Sequence, residues 1–283
     1  MGLPLVWCCL YSANPLYNVR LWQAKQKCPG LTIVSPSFDK YLRFSRLARE
    51  IYGCCTDRIE SFGLDECWLD LTGSEKLFGT GEQVADRLRE RIKFELGVTI
   101  SVGVSYNKIF AKLGSDMKKP NATTVITREN YKNVVWPLPV SDLLFVGPAT
   151  TRKLARYGVH TIGQLAQADG EWLRRRLGKN GRTLYAFANG LDCSPVAAND
   201  AVSVIKSVGN SITAPHDLPT DEDVKLTIYI LSESVAARLR EQGLRCTTVQ
   251  ISIRDNELFH YGRQGKLDAP TSATRPIAYK IDD

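Results

Sequence analysis

The 283-residue sequence has no run of 18 apolar residues, so an ordinary membrane-spanning helix is not expected. The apolar stretch 3–10 is short and lacks a basic flank and a small-residue cleavage site, so it does not read as a signal peptide. There is no C-x-x-C pair. The eight cysteines are scattered, with Cys8-Cys9 and Cys54-Cys55 adjacent. That spacing suits neither a zinc site nor a small disulfide framework, and it fits thiols in a reducing cytosol. Low-complexity tracts and internal repeats are also missing. Acid is absent from one region: no Asp or Glu precedes Asp39.

What is present bounds the answer. The length suggests about two domains, or more if they are small. With 43% apolar residues the chain can bury a sizeable core. The net charge is +7 and the pI about 9.0. Residues 1–137 hold 19 Lys+Arg and 14 Asp+Glu, residues 138–200 hold 8 and 5, and residues 201–283 hold 10 and 11. This balance permits a nucleic-acid partner without requiring one.

Periodicity predicts the elements. A buried strand is expected at 3–11, a short helix at 22–27, a strand at 31–34 and an amphipathic helix at 38–52. Two strands, 58–62 and 66–71, are closed by a turn at Gly63-Leu64-Asp65. In the second, Cys67, Leu69 and Leu71 face one way and Glu66, Trp68 and Asp70 the other. A helix at 82–96 ends at Gly97, a half-buried strand runs 98–104, a helix 107–117 and a strand 123–126. This order suggests a mixed α+β layer domain. A boundary falls near 136–139. Short helices punctuated by glycines follow, then a linker at about 194–200. The last segment reads strand 202–213, helix 221–242, strand 247–254 and a strand from 257 to about 264.

Three motifs carry chemistry. Gly63-Leu64-Asp65-Glu66 places adjacent carboxylates at a hairpin turn, which suits a hard divalent cation or, equally, an acidic turn in solvent. On the helix from Asn107, Lys108, Lys112 and Ser115 share a face that Lys119 continues, while Ile109, Leu113 and Met117 form the opposite, buried side. That row suits a triphosphate, or is a solvated basic face. Leu144-Phe145-Val146-Gly147-Pro148-Ala149-Thr150 reads as a glycine hairpin before a helix. Its backbone N–H groups would suit phosphate, and Leu177-Gly178-Lys179-Asn180-Gly181-Arg182 is a possible second copy. The alternative is an ordinary helix–turn–helix packing unit.

Together these motifs resemble the Y-family (translesion) DNA polymerases of the bacterial DinB/UmuC type. Residues 62–70 match the palm motif S-x-D-E, an aromatic and L-D, with Gly63 in the serine position. Residues 101–120 match S-V-G-[IV]-S-x-N-K, then A-K and D-M-x-K-P. Residues 146–153 match the thumb hairpin, and Lys206-Ser207-Val208-Gly209 with Ser211 and Thr213 the opening strand of the little finger. The resemblance covers about residues 20–265.

It implies an α+β fold with a palm of mixed sheet and packed helices, its first strand missing. A helical thumb with helix-hairpin-helix elements and an α+β little finger follow. The implied divisions are 1–35 (fingers remnant), 36–137 (palm), 138–200 (thumb) and 201–283 (little finger, incomplete). It implies Asp65 and Glu66 as catalytic metal ligands for Mg²⁺ (two ions in the family), and Lys119 and Tyr11 as nucleotide contacts. Gly147, Ala149, Thr150, Gly178, Lys179, Gly181, Lys206, Ser207, Ser211, Thr213 and Arg254 are implied as DNA contacts. In 247–254, Val249, Ile251 and Ile253 would face the core, and Thr248, Gln250, Ser252 and Arg254 the DNA. The implied partners are primer–template DNA, a deoxynucleoside triphosphate and, for a full-length parent, a sliding clamp, with the chain a cytoplasmic monomer.

Two departures bear on activity. The family's first strand carries an aspartate that bridges both metals, and no acidic residue stands before Asp39 to match it. The expectation is an incomplete metal site and a palm sheet with an open centre. Asn14 replaces a phosphate-gripping arginine. At the other end, the little finger is expected to stop short of its final helix and strand.

Overall fold

The computed structural model describes residues 5–11, 21–199, 201 and 204–282. The chain divides into two compact units, residues 1–201 and 202–283.

The first unit opens with strand β1 (Leu5–Tyr11), helix α1 (Leu21–Lys27) and helix α2 (Phe38–Gly53). The hairpin β2 (Ile59–Ser61) and β3 (Glu66–Asp70) follows, then the short α3 (Glu75–Phe78) and the long α4 (Gly81–Leu96). Next come β4 (Thr99–Ser105), α5 (Lys108–Met117), β5 (Thr123–Ile126) and α6 (Tyr131–Val135). Four helices complete the unit: α7 (Pro148–Ala155), α8 (Ile162–Gln167), α9 (Gly170–Leu177) and α10 (Lys179–Ala188).

Local chemistry sets these boundaries. The Thr80 hydroxyl accepts from the Gln83 N–H at 3.3 Å while Gln83 accepts from the Thr80 N–H at 2.9 Å, a reciprocal cap that starts α4. Gly97 ends it in the left-handed region, at φ +69°, where a Cβ is costly. The Asn107 side chain accepts from the Phe110 N–H at 2.8 Å and starts α5.

The sheet runs in the order β2-β3-β1-β4-β5. β1 is antiparallel to both β3 and β4, pairing Val6 with Leu69 and Val104. β4 and β5 are parallel. The expected open centre is therefore closed: residues 5–11 supply the middle strand, so β3 and β4 each have a partner for the ladder groups an open edge would leave unpaired.

Helices α2 and α4 cover one face. Ala48, Ile51, Val84, Leu88 and Ile92 pack there against Val6, Leu69, Ile100, Val102 and Val104. α5 covers the other face, so β4 is buried on both sides rather than half-buried, with Ser101 and Ser105 at 0% exposure. The close approach of α5 requires glycine in β4: a Cβ on Gly103 would lie 1.8 Å from the Ala111 carbonyl oxygen. A second core joins α5 to the helices beyond it, through Phe110, Ile126, Leu143, Leu154, Ile162, Leu173 and Leu184.

The second unit holds α11 (Asp221–Glu241), the antiparallel ribbon β6 (Cys246–Arg254) and β7 (His260–Thr271), and α12 (Thr274–Asp282). Ala236, Leu239 and Ile277 form its small core. Here the structure corrects several expectations. Residues 204–213 are not strand, because no neighbouring strand takes up their backbone groups among the described residues; 202 and 203 lie outside them. A final helix, α12, is present, because Ile277 and Ala278 are apolar residues it can bury. The last strand begins three residues later than expected and runs to Thr271. Ile253, expected inside, is exposed at the ribbon's far end. In the first unit, 31–34 is not strand either. Ile33 and Val34 are exposed, with no partner strand beside them among the described residues.

Candidate active site and nucleic-acid interface

The hairpin β2–β3 carries the acidic turn. Its register pairs Ser61 with Cys67, and Gly63 takes φ +84° at the bend. Two side chains of α2 fix it: the Ser45 hydroxyl donates to the Leu64 carbonyl, and Arg49 donates to the Ser61 hydroxyl at 3.0 Å. Asp65 is exposed, and Glu66 is half-buried at the start of β3. Trp68 anchors the strand from behind by donating its indole N–H to the Lys108 carbonyl at 2.9 Å.

α5 lies against this hairpin because Gly103 lets it approach. Its Lys112 ammonium is 2.7 Å from Glu66 and 2.7 Å from Asp116. Asp116 in turn is 2.8 Å from Lys119. Glu66, Lys112, Asp116 and Lys119 thus form one alternating row, and the two motifs, more than 40 residues apart in sequence, converge. Burial alone would push the Lys112 ammonium down, but its hydrogen bonds to Asp116 and Glu66 win and hold it above its ordinary value. Beneath the turn, burial pushes the Cys67 thiol up.

Lys108, expected on the solvated basic face, is buried at 6% exposure. Its ammonium is 2.5 Å from Glu60 and 4.9 Å from the Trp68 ring centre. Glu60 also accepts the Ala197 N–H at 2.8 Å. A lysine can sit here only because a carboxylate comes with it. Met117, expected in the buried side, is half in solvent at the end of α5. Ser115, expected to share the exposed lysine face, is fully buried, because Gly103 and β5 press against that turn of the helix.

The donor chemistry fits a hard divalent cation in part. Mg²⁺ needs only one or two protein carboxylates when phosphate and water complete its shell, and Asp65 and Glu66 provide two. No group of three metal-ligating side chains occurs among the described residues. In the ladder the residue opposite Glu66 on the central strand is Cys9, not an acid. Tyr11 ends β1 opposite Thr99; its side chain lies outside the described residues.

The helices after β5 form a second candidate surface. α7 and α10 both begin at glycines, Gly147 and Gly178, with no side-chain cap, which leaves open the first-turn N–H groups of Ala149 and Thr150, Pro148 having none, and of Lys179 and Asn180. A cleft of about 660 Å³ lies between them, lined by Phe145, Ala149, Thr150, Lys153, Arg176, Asn180 and Thr183 among others. Lys179 is exposed beside it. Gly181, expected to open toward DNA, is buried instead: a Cβ there would meet the Leu173 carbonyl at 2.2 Å, so it serves the α9–α10 contact. Lys153, the last residue of the matched thumb hairpin, and Arg176, which sequence reading did not single out, supply the cleft's positive charge. The only signal for Arg176 was membership of a basic region.

In the second unit Lys206, Ser207, Ser211, Thr213 and Arg254 are all exposed. The backbone of the segment holding the first four is tied down by Arg238, which donates to the Gly209 carbonyl at 2.7 Å.

Three family models match segments of the chain. The impB/mucB/samB family model matches residues 17–116, its C-terminal domain residues 205–281, and the DNA polymerase-iota thumb domain residues 141–192. A DNA polymerase IV of Acetivibrio thermocellus is 58% identical over 92% of this chain and 65% of its own length. One of Moorella thermoacetica is 37% identical over 94% and 68%, and a DNA polymerase IV 2 of Bacillus subtilis 36% identical over 98% and 69%. The chain thus spans about two thirds of the length of these relatives. Its fold is that of a chimeric Y-family DNA polymerase, with a TM-score of 0.81 at 19% identity, over 99% of this chain and 92% of that one. The chain belongs to the Y-family DNA polymerases of the DinB type.

Proposed function

We propose that this chain performs template-directed nucleotidyl transfer on DNA, as a translesion polymerase serving damage tolerance and the SOS response. One observation carries the reading: the acidic turn and the lysine helix converge in the row Glu66–Lys112–Asp116–Lys119. In phosphoryl transfer most of catalysis is positioning and charge neutralisation, and this row places both signs of charge at one surface.

In this reading Asp65 and Glu66 hold Mg²⁺, which supplies charge neutralisation at the triphosphate. Lys119 faces the incoming triphosphate, and Tyr11 contacts the nucleotide. Lys112 holds the Glu66 carboxylate in place. The open N–H groups around Gly147, Ala149, Thr150, Gly178 and Lys179 take DNA phosphates, positioning the duplex without reading its sequence. Lys206, Ser207, Ser211, Thr213 and Arg254 lie along the DNA backbone. The polymerase division is palm 36–137 joined by the strand at 5–11, thumb 138–200 and little finger 201–283. A sliding clamp, a monomeric state and a cytoplasmic, nucleoid-associated location belong to the same reading.

A second reading has its own support: a DNA-binding protein without turnover. It is favoured by Cys9 standing opposite Glu66, where a bridging carboxylate would complete a two-ion site. Primer extension with Mg²⁺ separates the two. Extension that falls on the order of 10³-fold in Asp65→Ala supports the polymerase. Salt-dependent primer–template binding with no extension supports the binder. Absence of both would remove the two readings together.

A further inference from the structure

We propose that Phe145 is a DNA-positioning residue: its ring packs on the sugar edge of the primer–template duplex held at the α7–α10 cleft. The inference rests on the DNA reading of that cleft.

Leu143 and Val146 are buried on either side of it, at 1% and 6% exposure, while Phe145 is 65% exposed. The Val146 N–H donates to the Leu143 carbonyl at 3.0 Å, so Phe145 occupies the third position of a tight turn. Its φ is +68°. At that position of such a turn glycine is the residue that fits, and a bulky side chain with positive φ is an outlier. The chain therefore holds a large aromatic in an unfavourable backbone state and still leaves most of it in water. Neither packing nor turn geometry accounts for that. Among the described residues the ring's one aromatic neighbour is Phe187, 6.2 Å away at 35°. Strain retained at an exposed position points to function.

The surroundings identify the occupant. Phe145 forms the rim of the cleft whose other walls include Lys153, Arg176, Asn180 and Thr183. Cationic and hydrogen-bonding groups beside one exposed ring suit a ligand with an anionic backbone and flat or apolar faces. Ring and cations differ in what they read. The cations respond to phosphate charge and release counterions, whereas the ring's contribution does not change with charge.

The test uses the full chain, with fluorescence anisotropy on a labelled primer–template duplex across a salt series and thermal unfolding in parallel. Phe145→Gly is expected to raise the unfolding midpoint, because glycine accepts this φ freely. It is expected to weaken duplex binding about tenfold while the slope of log K against log salt stays unchanged. Phe145→Asn, a residue that tolerates positive φ, should weaken binding likewise, and Phe145→Trp should restore it. Lys153→Gln should instead lower the salt slope by about one. Unchanged affinity in Phe145→Gly would overturn the proposal while leaving the DNA reading intact. An equal loss on single-stranded template would overturn the assignment to the duplex. A wild-type chain that binds no duplex would instead overturn the DNA reading beneath it.

Discussion

The two units solve the same problem to different degrees. In residues 1–201 the five-stranded sheet has helices on both faces, and its middle strands have partners on both sides. In residues 202–283 the sheet is a ribbon of two strands. Its burial rests on a few residues of α11 and α12, with Ala236, Leu239 and Ile277 at the centre. Around them Leu226, Ile230, Ile253, Leu258 and Tyr261 stay exposed. A two-stranded ribbon is marginal by itself, so the helices carry the second unit. Stability should therefore be sensitive to single atoms in the first unit and tolerant of them in the second.

The five tryptophans, at positions 7, 22, 68, 136 and 172, all fall in the first unit, so indole fluorescence follows that unit alone. The sharpest contrast is between two strand glycines. Gly103→Ala drives a Cβ to 1.8 Å from one backbone oxygen and 2.7 Å from a backbone nitrogen. It is expected to cost more than about 3 kcal/mol, seen as a large fall in the fluorescence-detected urea midpoint. Gly262→Ala in β7 meets nothing closer than 3.8 Å and is expected to stay within about 0.5 kcal/mol, followed by hydrogen exchange of the ribbon. Equal sensitivity at both sites would erase the distinction between the units.

Glu60→Ala comes next. It strands the Lys108 ammonium, whose side chain is 8% exposed, and removes the acceptor of the Ala197 N–H. A loss of about 3 kcal/mol is expected, with the double variant Glu60→Ala, Lys108→Met recovering much of it. No recovery would mean that the linker bond, not the charge, is what matters.

Thr220→Ala tests the second unit's dependence on α11. Its hydroxyl accepts from the Asp223 N–H at 3.2 Å, and about 1 kcal/mol should be lost. Circular dichroism would register this as reduced helicity at intermediate denaturant, with tryptophan emission unmoved. The smallest effect is reserved for Glu95→Ala on the surface of α4. Arg91 lies 2.7 Å from it and holds the Glu95 carboxyl below its usual range. An exposed pair of this kind is screened by water and contributes little, so the fluorescence midpoint should hardly shift.

Where sequence reading succeeded, local periodicity and capping were decisive. Residues 82–96 alternate with a helical period, are bounded by Thr80 and Gly97, and form α4 almost as expected. The strand 123–126 matches β5 residue for residue. The carboxylate turn was visible because Gly63, Asp65 and Glu66 are neighbours in the chain. Where reading failed, the deciding atoms were distant. Lys108 looks like one more surface lysine until Glu60, 48 residues away, is brought to it. Gly181 looks like an open phosphate-binding glycine until α9 closes over it. The segment 204–213 has the alternation of a strand, but alternation does not supply a hydrogen-bonding neighbour.

The amino-acid order alone thus settled the helix ending at Gly97, the hairpin that carries Asp65 and Glu66 and the excess of positive charge, because each depends on the sequence itself or on residues within a few positions of one another. Only the tertiary structure decided that residues 5–11 close the centre of the sheet, that Cys9 stands opposite Glu66, and that Lys112 joins the acidic turn to Lys119. Those facts depend on which segments pair and how closely α5 can approach β4, and such long-range registers are fixed by packing as a whole rather than by any local pattern.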